Sequence, residues 1–418
     1  MQEDFLHFLW RWRRFDLHDL RTTTGAAVEI LHPGESNTDA GPDFFNARVR
    51  LDGTLWAGNV EIHLRASDWL AHRHDTDPAY DNVILHVVLE EDLPLGQHLP
   101  CLELKGRIPP GLLDKYRRLR NERAWIPCAA DFGSAPELLR HNWLDRLLVE
   151  RLEGKTIEAA ERVEACGQNW EEAFYRLLTR NFGLKINTGP FETLARGLPL
   201  RLLAKHQDQL FQLEAMLFGQ AGLLADTLAD DYPRALAREY QFLQHKYGLS
   251  PLAPGQMKFF RLRPSGFPSL RLAQLAALLH RRMPVLSRVL EARNSAELEA
   301  LFQVEPSAYW STHFRFDKTS EPKNKPPGRE FVHLLLINTV APFLFHYGRT
   351  HAAPEWQDRA LQLLESLPPE ANRVVEGWGA LGQNAANAAQ SQALLQLKNQ
   401  YCSAGRCLEC AIGTAILR

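Results

Sequence analysis

The apolar residues of this 418-residue chain change their period once, and that change limits what each part can fold into. Up to residue 107 they alternate in short segments at 27–31, 45–51, 55–64, 83–89 and 99–107, the period-two mark of half-buried strands. Turn-forming clusters punctuate them, among them His32-Pro33-Gly34-Glu35, Gly41-Pro42-Asp43 and Asp52-Gly53. Before the strands, Leu6, Leu9, Trp10 and Trp12 recur at helical spacing within 3–15, and a second short helix is expected in 67–80 with Ser67 as its cap. Beyond Pro109-Pro110 the pattern turns helical. Over 137–164, Leu138, Leu139, Trp143, Leu147, Leu148 and Leu152 fall on one side. The expectation is an α+β protein, with an α/β domain at 1–110 and a mainly helical region at 111–418.

Charge separates the same two parts. The chain holds 48 Lys and Arg against 50 Asp and Glu, yet residues 1–100 carry 17 acidic side chains, 8 Arg and no Lys, a net of −9, leaving +7 for the rest. The first hundred residues also carry 8 of the 16 His, so metal or proton chemistry is expected there. Gln2, Glu3 and Asp4 precede the first apolar residues and Arg11, Arg13 and Arg14 follow them, the reverse of a secretory signal. The apolar run near 334–345 is broken by Asn338 and Pro342 and is too short to span a bilayer. The reading is a cytoplasmic protein with no membrane partner. In that compartment six Cys point to metal binding or burial rather than disulfides.

The sharpest arrangement joins Asp43 of Gly41-Pro42-Asp43 to Glu61-Ile62-His63. Residues two apart on a strand project from one face, so Glu61 and His63 share a face while Val60, Ile62 and Leu64 take the other. A hairpin through Asp52-Gly53 would bring Asp43 beside them. Two carboxylates and an imidazole at one sheet edge suit a divalent cation such as Mg²⁺ or Mn²⁺ and metal-assisted phosphodiester hydrolysis. This spacing, and the order helix, three strands, helix, strand, resembles the PD-(D/E)xK nuclease superfamily over roughly residues 1–105. The resemblance implies a restriction-endonuclease-like core, with Asp43 and Glu61 as metal ligands. It puts His63 where those enzymes usually hold a Lys that steadies the attacking water. Histidine there departs from the pattern, because it carries no constant positive charge at pH 7. A second Glu-x-Lys stands at Glu103 and Lys105, and the first is preferred because its Pro-Asp is correctly placed.

His72, His74 and His86 surround the motif in sequence and are further candidate ligands. His86 sits amid Val83, Ile84, Leu85, Val87 and Val88, where the plain alternative is a core histidine with a hydrogen-bond partner. Convergence of His63, His72, His74 and His86 would favour Zn²⁺ or Mn²⁺ over Mg²⁺.

A second metal motif lies at residues 402–410. Cys402, Cys407 and Cys410 put three thiols within nine positions, beside Gly405 and Gly413. A closed thiolate site wants four ligands, and Cys128 is the expected fourth, with Cys101 and Cys166 read as buried thiols. Zinc and an iron–sulfur cluster both suit such a set. A third feature is the stretch 240–290, which has no acidic residue and eight Lys and Arg. Lys258, Arg261, Arg263 and Arg271 with interleaved Phe259, Phe260 and Phe267 make a candidate nucleic-acid surface, which the segment 318–329 could extend.

The runs His32-Pro33-Gly34-Glu35, Asn37-Thr38-Asp39-Ala40-Gly41-Pro42-Asp43-Phe44-Phe45-Asn46 and Trp56-Ala57-Gly58-Asn59-Val60-Glu61-Ile62-His63, with Ser67-Asp68-Trp69, are similar to a bacterial family defined as a domain of unknown function. The similarity extends along the chain and carries no activity with it. Three functions fit these motifs: a metal-dependent nuclease acting on DNA or RNA, a nucleic-acid-binding protein with a degenerate nuclease fold, and a His-metal hydrolase of a small substrate. The sequence leaves the oligomeric state open.

Overall fold

A computed structural model describes residues 2–37, 40–96, 99–121, 124–224 and 227–417. Its backbone divides into two units. The first comprises Met1–Trp143, Ala380–Gln383 and Leu397–Arg418, and the second comprises Leu144–Gly379 and Asn384–Gln396. The division falls later than Pro109-Pro110, and the C-terminal cysteines return to the first unit.

The first unit starts with helix α1 (Glu3–Trp12), whose Phe5, Leu6, Phe8, Leu9 and Trp10 are buried. Arg13 takes a left-handed φ of 51° and ends the helix. Strands β1 (Val28–His32), β2 (Glu35–Ser36), β3 (Phe44–Leu51) and β4 (Thr54–Arg65) follow, then helix α2 (Asp68–Ala71) and strands β5 (Val83–Glu90) and β6 (Cys101–Glu103). The sheet order is β1-β3-β4-β5-β6, with β2 paired to β3. β1 and β4 run antiparallel to β3, whereas β5 lies parallel to β4 and β6 parallel to β5. Asp52 and Gly53, at φ of 44° and 82°, make the tight β3–β4 turn their sequence demands. The α2 crossover is what permits β5 to run parallel to β4. Gly58 admits β5 at close range: a Cβ there would stand 2.4 Å from Ile84 Cγ2.

Helix α3 (Pro110–Asn121) packs on α1, where Tyr116 stacks on Phe5 at 4.3 Å and donates to Asp4 Oδ1 at 2.9 Å. The 99–107 strand is shorter than its sequence suggests, and β2 was not evident in the alternation. Ser67 does precede α2, but its hydroxyl does not cap the helix. It donates instead to Asp92 Oδ2 at 2.7 Å, and Asp68 accepts the amide of Arg65.

The second unit is helical, with one small hairpin of His313–Arg315 and Lys318–Thr319. Its centre is formed by Leu210–Gln220 and Pro268–Arg282; in the latter every residue from Pro268 to Leu279 is buried, the polar Ser269, Arg271 and Gln274 included. Glu214 is fully buried there and accepts from the Ser307 hydroxyl at 2.9 and 3.1 Å and from Tyr232. Burial pushes its carboxyl up to about 7, with the Tyr232 and Ser307 hydroxyls pulling the other way. Residues Arg329–Thr350 form a helix long and apolar enough to cross a membrane, and 78% of its most apolar window is buried inside the protein.

Candidate metal centre on the mixed sheet

β4 is the central strand, flanked by β3 and β5, and both of its faces are buried from Gly58 to His63. Ile62 and Val60 fill one face. Glu61 and His63 point from the other, as their spacing requires, and His86 of β5 stands beside Glu61 in register. Asp43 immediately precedes β3, and Phe44 pairs with Val60, so the head of β3 lies against the middle of β4. The amide of Asp43 donates to Glu61 Oε2 at 3.0 Å, and the amide of Ile62 donates to Asp43 Oδ2 at 2.9 Å. The hairpin expected through Asp52-Gly53 therefore brings the carboxylate pair together.

His72 follows the last turn of α2, and Arg73, at φ 62°, turns the chain so that His74 also reaches the sheet. His63 Nε2 lies 3.1 Å from His72 Nδ1 and 3.5 Å from Glu61 Oε1, while His74 Nε2 lies 3.4 Å from the same Glu61 oxygen. The ligand atoms of His63, His72 and His74 all fall within 4.8 Å of one another. On the inner side His63 Nδ1 meets His86 Nε2 at 2.8 Å, and His86 Nδ1 is buried without a hydrogen-bond partner. His86 is thus only half satisfied by the protein. Tyr80 stacks on His74 at 3.7 Å and Trp69 meets His74 and His86 at 5.4 and 5.3 Å, so two aromatic rings hold the imidazoles in place. His72 is exposed, which leaves the centre open to solvent on that side.

The electrostatics agree with a centre that lacks a counter-charge. Burial, then the Asp43 carboxylate, pushes Glu61 up to about 8. Burial also drives His63 down to about 3, aided by His86, His72, His74 and His7, and drives His86 down to about 4, aided by His74. His74 is lowered as well, by burial and then by His72. Each group resists its own charged form. A divalent cation would reverse the effect on Glu61 and needs the imidazoles neutral, so the donor set fits a metal. Three imidazoles with a carboxylate suit Zn²⁺ or Mn²⁺ better than Mg²⁺, which prefers oxygen.

His7 was not singled out by sequence. Its Nε2 lies 3.2 Å from Asp43 Oδ2, brought there by α1 across the sheet. No local spacing links a helix residue to a strand residue thirty-six positions on, and the buried Phe5-Leu6 and Phe8-Leu9 pairs give only the face of α1. Glu103 and Lys105, the second Glu-x-Lys, have other partners: Glu103 accepts the amide of Glu91 at 3.3 Å and Lys105 pairs with Glu90.

Cys128, Cys402, Cys407 and Cys410 all belong to the first unit and form no disulfide. Cys128 lies close enough to Cys410 and Cys407 to feel their charge, and Cys402 to feel Cys128, Cys410 and Cys407. Cys101 is buried next to Glu91, and Cys166 is half-buried near Arg176 and Glu172. Cys128 and Cys402 thus lie within electrostatic reach of other thiols of the group expected from sequence.

The basic stretch belongs to the second unit. Lys258, Arg261 and Arg263 are exposed on the loop before Pro268–Arg282, and Arg261 lies 5.2 Å from the ring of Phe260, itself 78% exposed. Arg271 is different. It is buried, sits 3.4 Å over the Phe331 ring and donates to Gln274 Oε1 at 2.8 Å, so it is a core cation out of reach of a phosphate backbone. The reason is its position on a helix that is buried on every side from Pro268 to Leu279. Lys325, in the expected basic extension 318–329, is also buried and donates to the carbonyls of Trp310 and Ser311 at 2.9 and 2.6 Å.

Fold and site together define an α+β protein whose mixed sheet carries a carboxylate pair within a ring of histidines. The chain belongs to the family described as Protein of unknown function (DUF2851), whose model matches residues 3–373. That span includes Asp43, Glu61, the four clustered histidines and Cys128, and ends before Cys402. No curated protein and no solved structure matches the chain.

Proposed function

We propose that the centre at Asp43, Glu61, His63, His72 and His74 holds a divalent cation and that the protein hydrolyses phosphodiesters of a nucleic acid. The observation that carries this reading is the reciprocal hook between Asp43 and Glu61, with the His63 and His74 imidazoles closing on Glu61 Oε1 and His72 beside His63. The order α1, β1, β3, β4, α2, β5 supports a restriction-endonuclease-like core, the arrangement to which the Pro-Asp and Glu-x-His spacing points. When bound, Mn²⁺ or Zn²⁺ supplies Lewis acidity toward a phosphoryl oxygen and lowers the pKa of a water ligand toward neutrality. Glu61 and Asp43 provide the anionic oxygens. His63 stays neutral, so it donates a lone pair and does not act as the fixed cation that a lysine would be. His86 orients it from the inner side at 2.8 Å. Lys258, Arg261 and Arg263, with Phe260 beside them, supply a surface suited to phosphates and bases.

The convergence of four imidazoles also favours a His-metal hydrolase of a small substrate, and one assay separates the two. Purified chain is incubated with single- and double-stranded DNA and RNA, with a small phosphodiester, and with Mn²⁺, Zn²⁺ or Mg²⁺. The nuclease reading expects polynucleotide cleavage that disappears in the Asp43→Ala, Glu61→Ala double variant. Cleavage that survives in that variant would sink the assignment, turnover of the small ester alone would favour the second reading, and salt-dependent binding without cleavage would leave a binding module.

A further inference from the structure

The helix Asp231–Tyr247 ends where Gly248, at a left-handed φ of 64°, returns its amide to the Gln244 carbonyl. The loop that follows is held from inside by Gln220, which is only 2% exposed. Gln220 Nε2 donates to the Ser250 carbonyl at 2.6 Å and its Oε1 accepts the Tyr240 hydroxyl at 3.0 Å, while its backbone carbonyl accepts the Leu252 amide at 2.8 Å. Gly197 makes room for this side chain, since a Cβ there would stand 2.7 Å from Gln220 Nε2. Tyr247 is fixed as well. Glu239 accepts from Gln212 Nε2 at 2.7 Å, Gln212 Oε1 lies 2.6 Å from His206 Nδ1, and His206 Nε2 lies 2.9 Å from the Tyr247 hydroxyl. Buried polar groups thus set the position of a loop and a ring at the surface.

Between this loop and residues 197–205 lies a cavity of about 540 Å³, wholly within the second unit and of the size that small-molecule sites have. Exposed Arg201 and Lys205 line it, four residues apart on the helical segment 200–206. Among the described residues neither has a carboxylate partner, and no Asp or Glu lines the cavity. Lys205 Nζ lies 5.9 Å and Lys246 Nζ 5.1 Å from the centre of the Tyr247 ring, so a third cation borders the same place. Three cations gathered without an acid repel one another, and an anion among them relieves that repulsion. Arginine and lysine donors suit a phosphate in particular. Pro199, Leu202 and Leu249 add an apolar side, so the cavity suits a phosphate attached to a nucleoside.

We propose that Arg201, Lys205 and Lys246 bind a phosphate monoester, that of a free nucleotide or of the end of a nucleic-acid strand, in the cavity beside Tyr247. This goes beyond the nuclease reading and does not depend on it. Isothermal titration of the full chain, with EDTA present to keep the metal centre empty, compares adenosine monophosphate with adenosine. The nucleotide is expected to bind at least about tenfold more tightly, and each of Arg201→Gln and Lys205→Gln to weaken it by about tenfold or more, the worth of a hydrogen bond to a charged group. Both side chains are exposed, so both variants should melt as the unaltered chain does. Arg238→Gln, about 12 Å along the helix from Lys246, controls for a general charge effect and should bind the nucleotide normally. So should the Asp43→Ala, Glu61→Ala double variant and the triple Ala variant of Lys258, Arg261 and Arg263, whatever becomes of the nuclease reading. A single-stranded oligonucleotide with and without a 5′-phosphate identifies the source. Tighter binding of the phosphorylated strand, abolished by Lys205→Gln, assigns the strand end, and equal binding of the two strands assigns the free nucleotide. The proposal is overturned if adenosine monophosphate does not bind, binds no better than adenosine, or binds an Arg201→Gln, Lys205→Gln double variant as it binds the unaltered chain.

Discussion

Asp43 and Glu61 fix each other from neighbouring strands: the Asp43 amide donates to Glu61 Oε2 at 3.0 Å, and Asp43 Oδ2 accepts the amide of Ile62 at 2.9 Å. Each carboxylate spends one oxygen on the backbone of the other strand. Glu61 Oε1 is left facing His63 and His74, so the hook aims the oxygen that a cation would use. Because both donors are backbone amides, the pairing of β3 with β4 sets where each carboxylate is held.

Replacing either carboxylate should therefore weaken metal binding without unfolding the sheet. Glu61→Gln removes a ligand charge, and Asp43→Asn removes the second carboxylate charge while keeping the backbone amide that holds Glu61 Oε2. We expect Asp43→Asn to lower Mn²⁺ affinity by at least about 10–100-fold, the loss that follows even from removing a group that only orients a ligand, and Glu61→Gln to lower it at least as much. Isothermal titration, with thermal melts as the folding control, checks both.

Metal affinity should also depend on pH in a defined direction. Glu61, held at about 8 in the metal-free centre, must lose its proton to bind a cation. Mn²⁺ affinity should rise by about tenfold per pH unit between pH 6.5 and 8, as one proton is displaced, and level off above that. The Glu61→Gln variant should lose most of this slope. A slope that Glu61→Gln retains in full would assign the proton to another group.

Some of this site is legible in the sequence and some is not. Glu61 and His63 are legible because a period of two puts both on one face, and Asp43 because Asp52-Gly53 closes the hairpin that returns it. His72, His74 and His86 stand out by density alone. Their convergence depends on the parallel β4–β5 register and on the positive φ of Arg73, which no spacing rule encodes. His7 arrives by packing of α1 and leaves no local trace. Arg271 misleads for the opposite reason. Charge counting reads it as a surface cation, whereas its helix is buried on every side and Phe331 takes its guanidinium.

That difference yields a mutational contrast in the second unit. Arg271→Ala should cost roughly 2–3 kcal/mol of stability, from the lost Phe331 contact and the Gln274 bond, and leave the salt dependence of nucleic-acid binding unchanged. Exposed Lys258, Arg261 and Arg263 should behave in the reverse way. Their triple Ala variant should melt normally and reduce the slope of log affinity against log salt by up to about 3. Filter binding across a salt series, alongside urea denaturation, distinguishes the two patterns.

Glu214 offers a stability test away from the metal centre. Its folded pKa of about 7 lies above the ordinary 4.5, so the stability it contributes is complete below pH 4.5 and is lost as pH rises through 7. Between pH 5 and 8 the unaltered chain should lose roughly 1–3 kcal/mol more than Glu214→Gln. Urea midpoints at the two pH values measure the difference, and equal losses would mean that Glu214 is already ionised at pH 5.

The central claim is that Glu61 and the histidines around it hold a cation, and anomalous diffraction from crystals grown with Mn²⁺ or Zn²⁺ tests it most directly. The account predicts one strong anomalous peak bonded to carboxylate oxygens of Asp43 and Glu61 and to nitrogens of His63, His72 and His74, at about 2.0–2.2 Å for zinc. An empty centre at saturating metal, with the imidazoles bonded only to one another, would contradict it.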